Sequence, residues 1–202
     1  PDDEKILDYI DDDGHLVEPE TYYPVIPFVL VNGCQGIGTG YSTYIPPYNP
    51  IELVKLMKAK LNNENYPKLI PYFNGFKGRV YKIDEKDNFM TKGLYEIMNY
   101  KTILIKELPI GSCFDSFKNF LDEIIVDLTT VQKKSDKVPK KNTKSEFKGV
   151  KNYRSQSTES HAHFEIEVEP LVLKEWLNKA AQEKHSGELI DNIEKRFRLT
   201  SK

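Results

Sequence analysis

The sequence predicts an α+β protein: a mostly antiparallel sheet packed on helices, a two-layer sandwich of split-βαβ type, preceded by an extended linker and a glycine loop. Three observations predict it. From Gly78 onward, GRVYKID, GLYEIMNY and KTILIKEL are short alternating or β-rich runs separated by turn residues, which reads as an antiparallel meander. Phe114, Phe117, Phe120, Leu121, Ile124, Ile125 and Leu128 then trace one face of a helix. HFEIEVE, residues 163 to 169, alternates again, and LVLKEWLNKAA reads as a second amphipathic helix.

Taken from the start, residues 1–24 are acidic and turn-rich (DDDGHLVEPE) and read as a linker rather than a core element. Val25 to Val31, VIPFVLV, is short, apolar and β-rich, so it is expected as a buried strand or extended segment ending at Asn32-Gly33. The glycine loop follows. Asn49 then stands as an N-cap, Pro50 at the first helical position and Glu52 where a capping box needs it; Leu53, Val54, Met57 and Leu61 recur at helical spacing. A helix over about 50–62 is predicted. The organisation expected is a linker at 1–24, a segment 25–77 with the glycine loop and helix, and an α+β domain at 78–202. Within that domain Lys133 to Arg154 holds nine basic residues against two acidic ones and little apolar periodicity, which predicts a mobile basic loop.

Composition narrows the function classes. At 202 residues and 39% hydrophobic, the chain can bury one sizeable core or two small ones. No apolar run approaches the roughly 18 residues of a membrane span and no signal segment opens the chain, so a soluble protein without a membrane partner is expected. Cys34 and Cys113 are too few and too far apart for a disulfide framework or a zinc site, which fits an intracellular, reducing compartment. A net charge of −2 leaves any case for nucleic-acid binding to local features. With Pro1-Asp2-Asp3 in place of an initiator Met, the chain reads as a fragment of something longer.

The stretch VNGCQGIGTGYSTYIPPYNPIEL, Val31 to Leu53, carries the most chemistry. A dinucleotide fingerprint starting at Gly36 and Gly38 needs a third glycine where Tyr41 stands, and a P-loop through Gly33 and Gly38 needs a lysine where Thr39 stands. Both nucleotide readings fail. What remains is a loop whose glycines let backbone N–H groups approach a nucleic-acid phosphate, with hydroxyls on Thr39, Ser42 and Thr43; the alternative is a tight internal turn near the core. Ile45 precedes Pro46-Pro47, which hold it extended and fix the chain after it. That suits an apolar wedge between base pairs; the alternative is a core isoleucine.

Read together, EPETYYPVIPFVLVNGCQGIGTGYSTYIPPYNPIELV resembles the corresponding stretch of eukaryotic-type type IIA DNA topoisomerases over more than thirty consecutive positions. PYFNGFKGRV, TILIKELPIGSCFDSFKNFL, VKNYRSQSTESHAHFEI and IEKRFRL are similar to later stretches of that family. The resemblance implies the end of a winged-helix region plus a tower domain, part of a DNA gate. It also implies that Gly36, Ile37, Gly38, Thr39, Gly40, Ser42 and Thr43 contact duplex DNA and that Ile45 inserts between base pairs and helps to bend them. Lys77, in the NGFKG turn, and Lys140, Lys141 and Lys144, in the basic segment, are further candidates for phosphate contact. Cys34-Gln35 stands where the family has Ala-Glu, and Tyr41 and Thr21 stand where it has Trp. These departures suggest a divergent lineage, such as a protist or a large DNA virus.

The family's nucleophilic tyrosine follows an arginine upstream of the acidic linker; here the only adjacent pair, Tyr153-Arg154, is reversed, so no catalytic residue is expected and the segment alone should not cleave DNA. No metal site is expected either: Asp11-Asp12-Asp13-Gly14 reads as a solvated turn and His161 and His163 as surface or cross-strand histidines. Mg²⁺, ATP and a homodimer are implied for the full-length isomerase, not for this segment. The nucleus follows if the source is cellular, a cytoplasmic replication site or the host nucleus if viral. A different class of function stays open: a non-catalytic interaction module whose lysine-rich loop binds an acidic partner.

Overall fold

A computed structural model describes residues 5–66, 68–83, 88–131, 147–158, 161–178, 183–185 and 188–202. The chain divides into two compact units, Pro1–Phe73 and Asn74–Lys202.

The first unit opens with a hairpin of β1 (Tyr9–Asp12) and β2 (His15–Pro19). The expected linker therefore contains regular structure. Asp13 and Gly14 take φ values of 54° and 85°, the two left-handed residues of a tight hairpin turn, and Asp11 Oδ1 accepts from the Gly14 N–H at 2.7 Å. In place of the buried strand or extended segment expected over 25–31, a short helix, α1 (Phe28–Asn32), occupies its second half. Pro24 and Pro27 remove the N–H groups a ladder would need, while Pro27 starts a turn by accepting from Leu30 N at 2.9 Å. The glycine loop is itself a hairpin, of β3 (Cys34–Gly38) and β4 (Tyr41–Ile45). Next, α2 (Pro50–Leu61) begins as predicted at Asn49, whose side chain accepts from Ile51 N, but Glu52 pairs forward with Lys55 at 2.8 Å instead of closing the capping box. Leu53 is the buried residue of its apolar face, and Leu61 is exposed.

In the second unit the expected meander is split between two sheets. One contains β5 (Arg79–Lys82) and β6 (Phe89–Lys92), joined by β13 (Thr200–Ser201). The other is four-stranded: β7 (Leu94–Asn99), β8 (Thr102–Glu107), β9 (Val150–Ser155) and β10 (Phe164–Val168), in the order β7-β8-β10-β9. All its neighbours are antiparallel, so β8 and β9 run parallel with β10 between them. With α3 (Phe114–Val131) lying between β8 and β9 in the chain, this is the split βαβ arrangement. The strand β9 falls inside the expected basic loop: Val150 is buried and Tyr153 half-buried, while Lys151, Asn152 and Arg154 stay exposed, so the composition conceals an amphipathic strand. Two further helices, α4 (Pro170–Asn178) and α5 (Asn192–Arg196), flank the short hairpin of β11 (Glu183–His185) and β12 (Glu188–Ile190).

Ile103, Ile105, Phe164, Ile166 and Val168 line one face of the sheet and pack with Phe117, Phe120, Leu121 and Ile124 of α3 and Leu173 and Trp176 of α4. Edge-on aromatic contacts run through this core, with Phe117 against Phe164 at 5.0 Å and Phe147 against both Phe120 and Phe197 at 5.7 and 5.8 Å. The opposite face carries ion pairs, Lys106 to Glu96 at 2.7 Å and Lys101 to Glu167 at 2.9 Å. One face dry and one face charged is the pattern of a two-layer sandwich. A capping box at Asp191 and Glu194 starts α5, and the buried Glu194 pairs with Lys92 of β6 at 2.9 Å, which ties the end of the chain to the smaller sheet.

Candidate nucleic-acid interface

The candidate residues fall into three places. Gly36, Ile37, Gly38, Thr39, Gly40, Ser42, Thr43 and Ile45 all belong to the β3–β4 hairpin of the first unit. Lys77 lies in the second unit, exposed, with its N–H donating to Glu107 Oε2 at 3.3 Å. It sits just before Gly78, where a Cβ would run into the Lys92 carbonyl oxygen, so close backbone approach requires glycine there. Lys140, Lys141 and Lys144 lie outside the described residues.

The hairpin register sorts its residues by face. Cys34 pairs with Ile45, Gly36 with Thr43 and Gly38 with Tyr41; Gln35 pairs with Tyr44 and Ile37 with Ser42. Directly opposite residues share a face, and successive pairs alternate. One face therefore carries Ile45, Thr43 and Tyr41, the last two opposite glycines. The other carries Ile37, Ser42, Gln35 and Tyr44. Thr39 and Gly40 form the turn, with Gly40 in the left-handed region at φ 84°.

The glycines of this stretch are not equivalent. Gly33 has φ 71°, and a Cβ there would sit 2.8 Å from the Ile45 carbonyl oxygen and 3.1 Å from Pro47 N and Cδ; its bare backbone is what lets the two ends of the hairpin close. Gly40 is needed for the turn. Gly36 and Gly38 are different: neither has positive φ, a Cβ at Gly36 would meet nothing within 4 Å, and one at Gly38 only Tyr41 O at 3.6 Å. Neither backbone conformation nor internal packing calls for glycine at either place. The alternative of a tight internal turn near the core does not describe this hairpin, whose residues from Ile37 to Tyr44 are all exposed.

Ile45 is neither a core residue nor a free one: it is half-buried at the hairpin's base. The chain beyond it is fixed from both sides, since Tyr48 N donates to Leu30 O at 2.7 Å and Tyr72 N donates to Pro47 O at 2.8 Å. With Pro46 and Pro47 restricting φ, the backbone that carries Ile45 is braced.

No charged side chain occurs between Gly33 and Asn49, so anything this hairpin offers an anion comes from N–H and hydroxyl groups. The pair forms a two-stranded sheet, and each strand keeps one edge with outward N–H groups. Such donors can bond phosphate oxygens and carry no base information. Among the described residues no group of three or more His, Cys, Asp or Glu could hold a metal ion. Asp11 is engaged with its own turn, and His163 Nε2 lies 3.2 Å from Glu165 Oε1. Tyr153, of the reversed Tyr-Arg pair, bonds through its hydroxyl to Asp122 on α3; burial first, and that bond second, push its phenol up to about 12, which makes it a structural donor.

Comparison with known proteins gives the class of this chain, with its proline-braced hairpin in one unit and split-βαβ sandwich in the other: the type II DNA topoisomerases. It belongs to the DNA gyrase/topoisomerase IV family (A-type subunit), whose model matches residues 1–189. It is 33% identical to DNA topoisomerase 2 of Pisum sativum over 199 residues, 98% of this chain and 12% of that protein. Against DNA topoisomerase 2 of Arabidopsis thaliana it is 46% identical over 129 residues, 62% of this chain and 9% of the relative. The solved DNA-binding, cleavage and re-ligation domain of Plasmodium falciparum topoisomerase II superposes with a TM-score of 0.70 at 31% identity, covering 98% of this chain and 23% of that one. The chain thus spans about a tenth of the length of these curated relatives.

The sequence alone did not single out Tyr41, which the register places on the same face as Ile45. The signal was present: counting outward in pairs from the Thr39-Gly40 turn puts Tyr41 opposite Gly38.

Proposed function

We propose that the chain is the DNA-gate segment of an ATP-dependent type II DNA topoisomerase, binding and bending the duplex that the complete enzyme cleaves so that a second duplex can pass. The observation that carries this reading is the pair of glycines, Gly36 and Gly38, that the fold does not require, on the same hairpin face as Thr43 and Ile45. Bare backbone there lets a phosphodiester chain lie against the strand. Ile45 then enters a base step, and the bent duplex gains contact with more of the protein than the unstacking costs. Family membership favours this reading over a module for acidic partners. The nucleophilic tyrosine, the ATP and Mg²⁺ sites and a second copy of the polypeptide belong to the rest of the enzyme. The two cysteines, Cys34 and Cys113, too few and too far apart for a disulfide framework, support a reducing, intracellular location.

Salt separates the two contributions to binding. Duplex affinity is expected to fall linearly on a log–log plot as salt rises, by a slope of about 0.9 per neutralised phosphate. Because the hairpin is uncharged, that slope comes from basic side chains outside it. Neutralising Lys140, Lys141 and Lys144 together should flatten it by up to about 0.9 per lost contact, with the melting curve unchanged. Fluorescence anisotropy over a salt series checks this. Tight binding to an acidic peptide with no duplex binding at low salt would favour the module instead.

A further inference from the structure

Tyr41 is 86% exposed at the tip of the hairpin, and among the described residues its hydroxyl has no hydrogen-bond partner. A large ring left in solvent beside a tight turn has no role in packing. Its face is shared: Tyr41, Thr43 and Ile45 stand in one row, and the cross-strand positions beside Tyr41 and Thr43 are Gly38 and Gly36. The row is thus an open strip with an aromatic donor at one end and the wedge at the other. Four residues of extended chain separate the two ends by about 13 Å, and at about 3.4 Å per base step that is about four steps along a duplex.

We propose that Tyr41 is a second DNA anchor, its hydroxyl donating to a phosphate of the same duplex about four steps from the one that Ile45 enters, and its ring packing on the adjoining sugar. This rests on the DNA-gate reading above. The contact is made by a neutral group on an uncharged hairpin, so it positions the duplex on the wedge and adds nothing to the salt slope. With Tyr41 at one end and Pro46-Pro47 behind the other, the duplex is held at a defined offset while Ile45 opens one step.

The test uses the full-length protein and duplexes in which single phosphates are replaced by neutral methylphosphonates. The opened step is first located with 2-aminopurine, as the fluorescence rise that Ile45→Ala abolishes. Wild-type protein is expected to lose about tenfold in affinity when the phosphate about four steps away is replaced. Tyr41→Phe should lose a similar factor on unmodified DNA, become insensitive to that one replacement, and keep its 2-aminopurine signal. Tyr41→Phe binding like wild type, or giving the same methylphosphonate profile, overturns the anchor while the Ile45-dependent signal leaves the DNA-gate reading in place. If wild-type protein neither binds the duplex nor shows an Ile45-dependent signal, the reading and the anchor fall together.

Discussion

Gly36→Val is expected to leave the melting temperature within about 2 °C of wild type while weakening duplex binding by about two orders of magnitude. The two halves have separate causes. A Cβ at position 36 points into open space, and valine suits an extended strand better than glycine does, so the folded chain loses nothing. The same branched side chain would stand on the strip where a phosphodiester backbone is held to lie, pushing it beyond hydrogen-bond reach of the strand. The loss should be the same at low and high salt, because no charge is removed, whereas neutralising lysines changes the slope. Circular dichroism melting and anisotropy on one preparation read both quantities. A valine that binds DNA as glycine does would mean that the bare face does not meet the duplex.

The largest effect on stability is expected from Phe164→Ala, which should cost about 3–5 kcal/mol. Phe164 is 1% exposed on the central strand β10, edge-on to Phe117 of α3, and it stands beside Ile105 on β8. Its removal opens a cavity where the two layers meet, and the surrounding side chains are held by the sheet on one side and the long helix α3 on the other. Chemical denaturation of the chain measures the loss directly. Ile45→Ala, at a half-buried position, should cost only about 1 kcal/mol, so the contrast between the two substitutions distinguishes a core isoleucine from one kept for DNA.

What could be read from the sequence follows physical lines. The apolar faces of α3 and α4 were legible because a 3.6-residue period repeats over several turns, and Phe117, Phe120, Leu121 and Ile124 are indeed buried. The division of the meander into two sheets was not. Whether β6 pairs with β7 or with β13 is decided by contacts such as Thr91 with Ser201, far apart in the chain, which no local pattern encodes. The buried strand or extended segment expected over 25–31 gives way to a helix from Phe28 because β-branched composition was weighed above Pro27, at the helix's N-cap. In β9, a run of lysines masked an inward-facing Val150 and Tyr153. At the site itself the residues were legible as a motif, but their sorting into two faces required the register. The distinction between glycines that the fold needs, such as Gly33, and those it does not required the packing around each. The half-burial of Ile45 had no local signal, since the burial of a side chain at a strand end depends on the fold around it.

If this hairpin bends a duplex through Ile45, the bend itself is the quantity to measure. In the full-length protein, energy transfer between dyes on the two ends of a short duplex reports the bend angle, at a temperature well below the melting point of the Ile45→Ala variant. Wild-type protein should bring the ends together, and Ile45→Ala should leave them nearly as far apart as in free DNA at saturating protein, with relaxation of supercoiled DNA reduced in parallel, because only an apolar side chain in the opened step sustains the kink. Equal energy transfer from wild type and variant at saturation would mean that Ile45 does not bend the duplex.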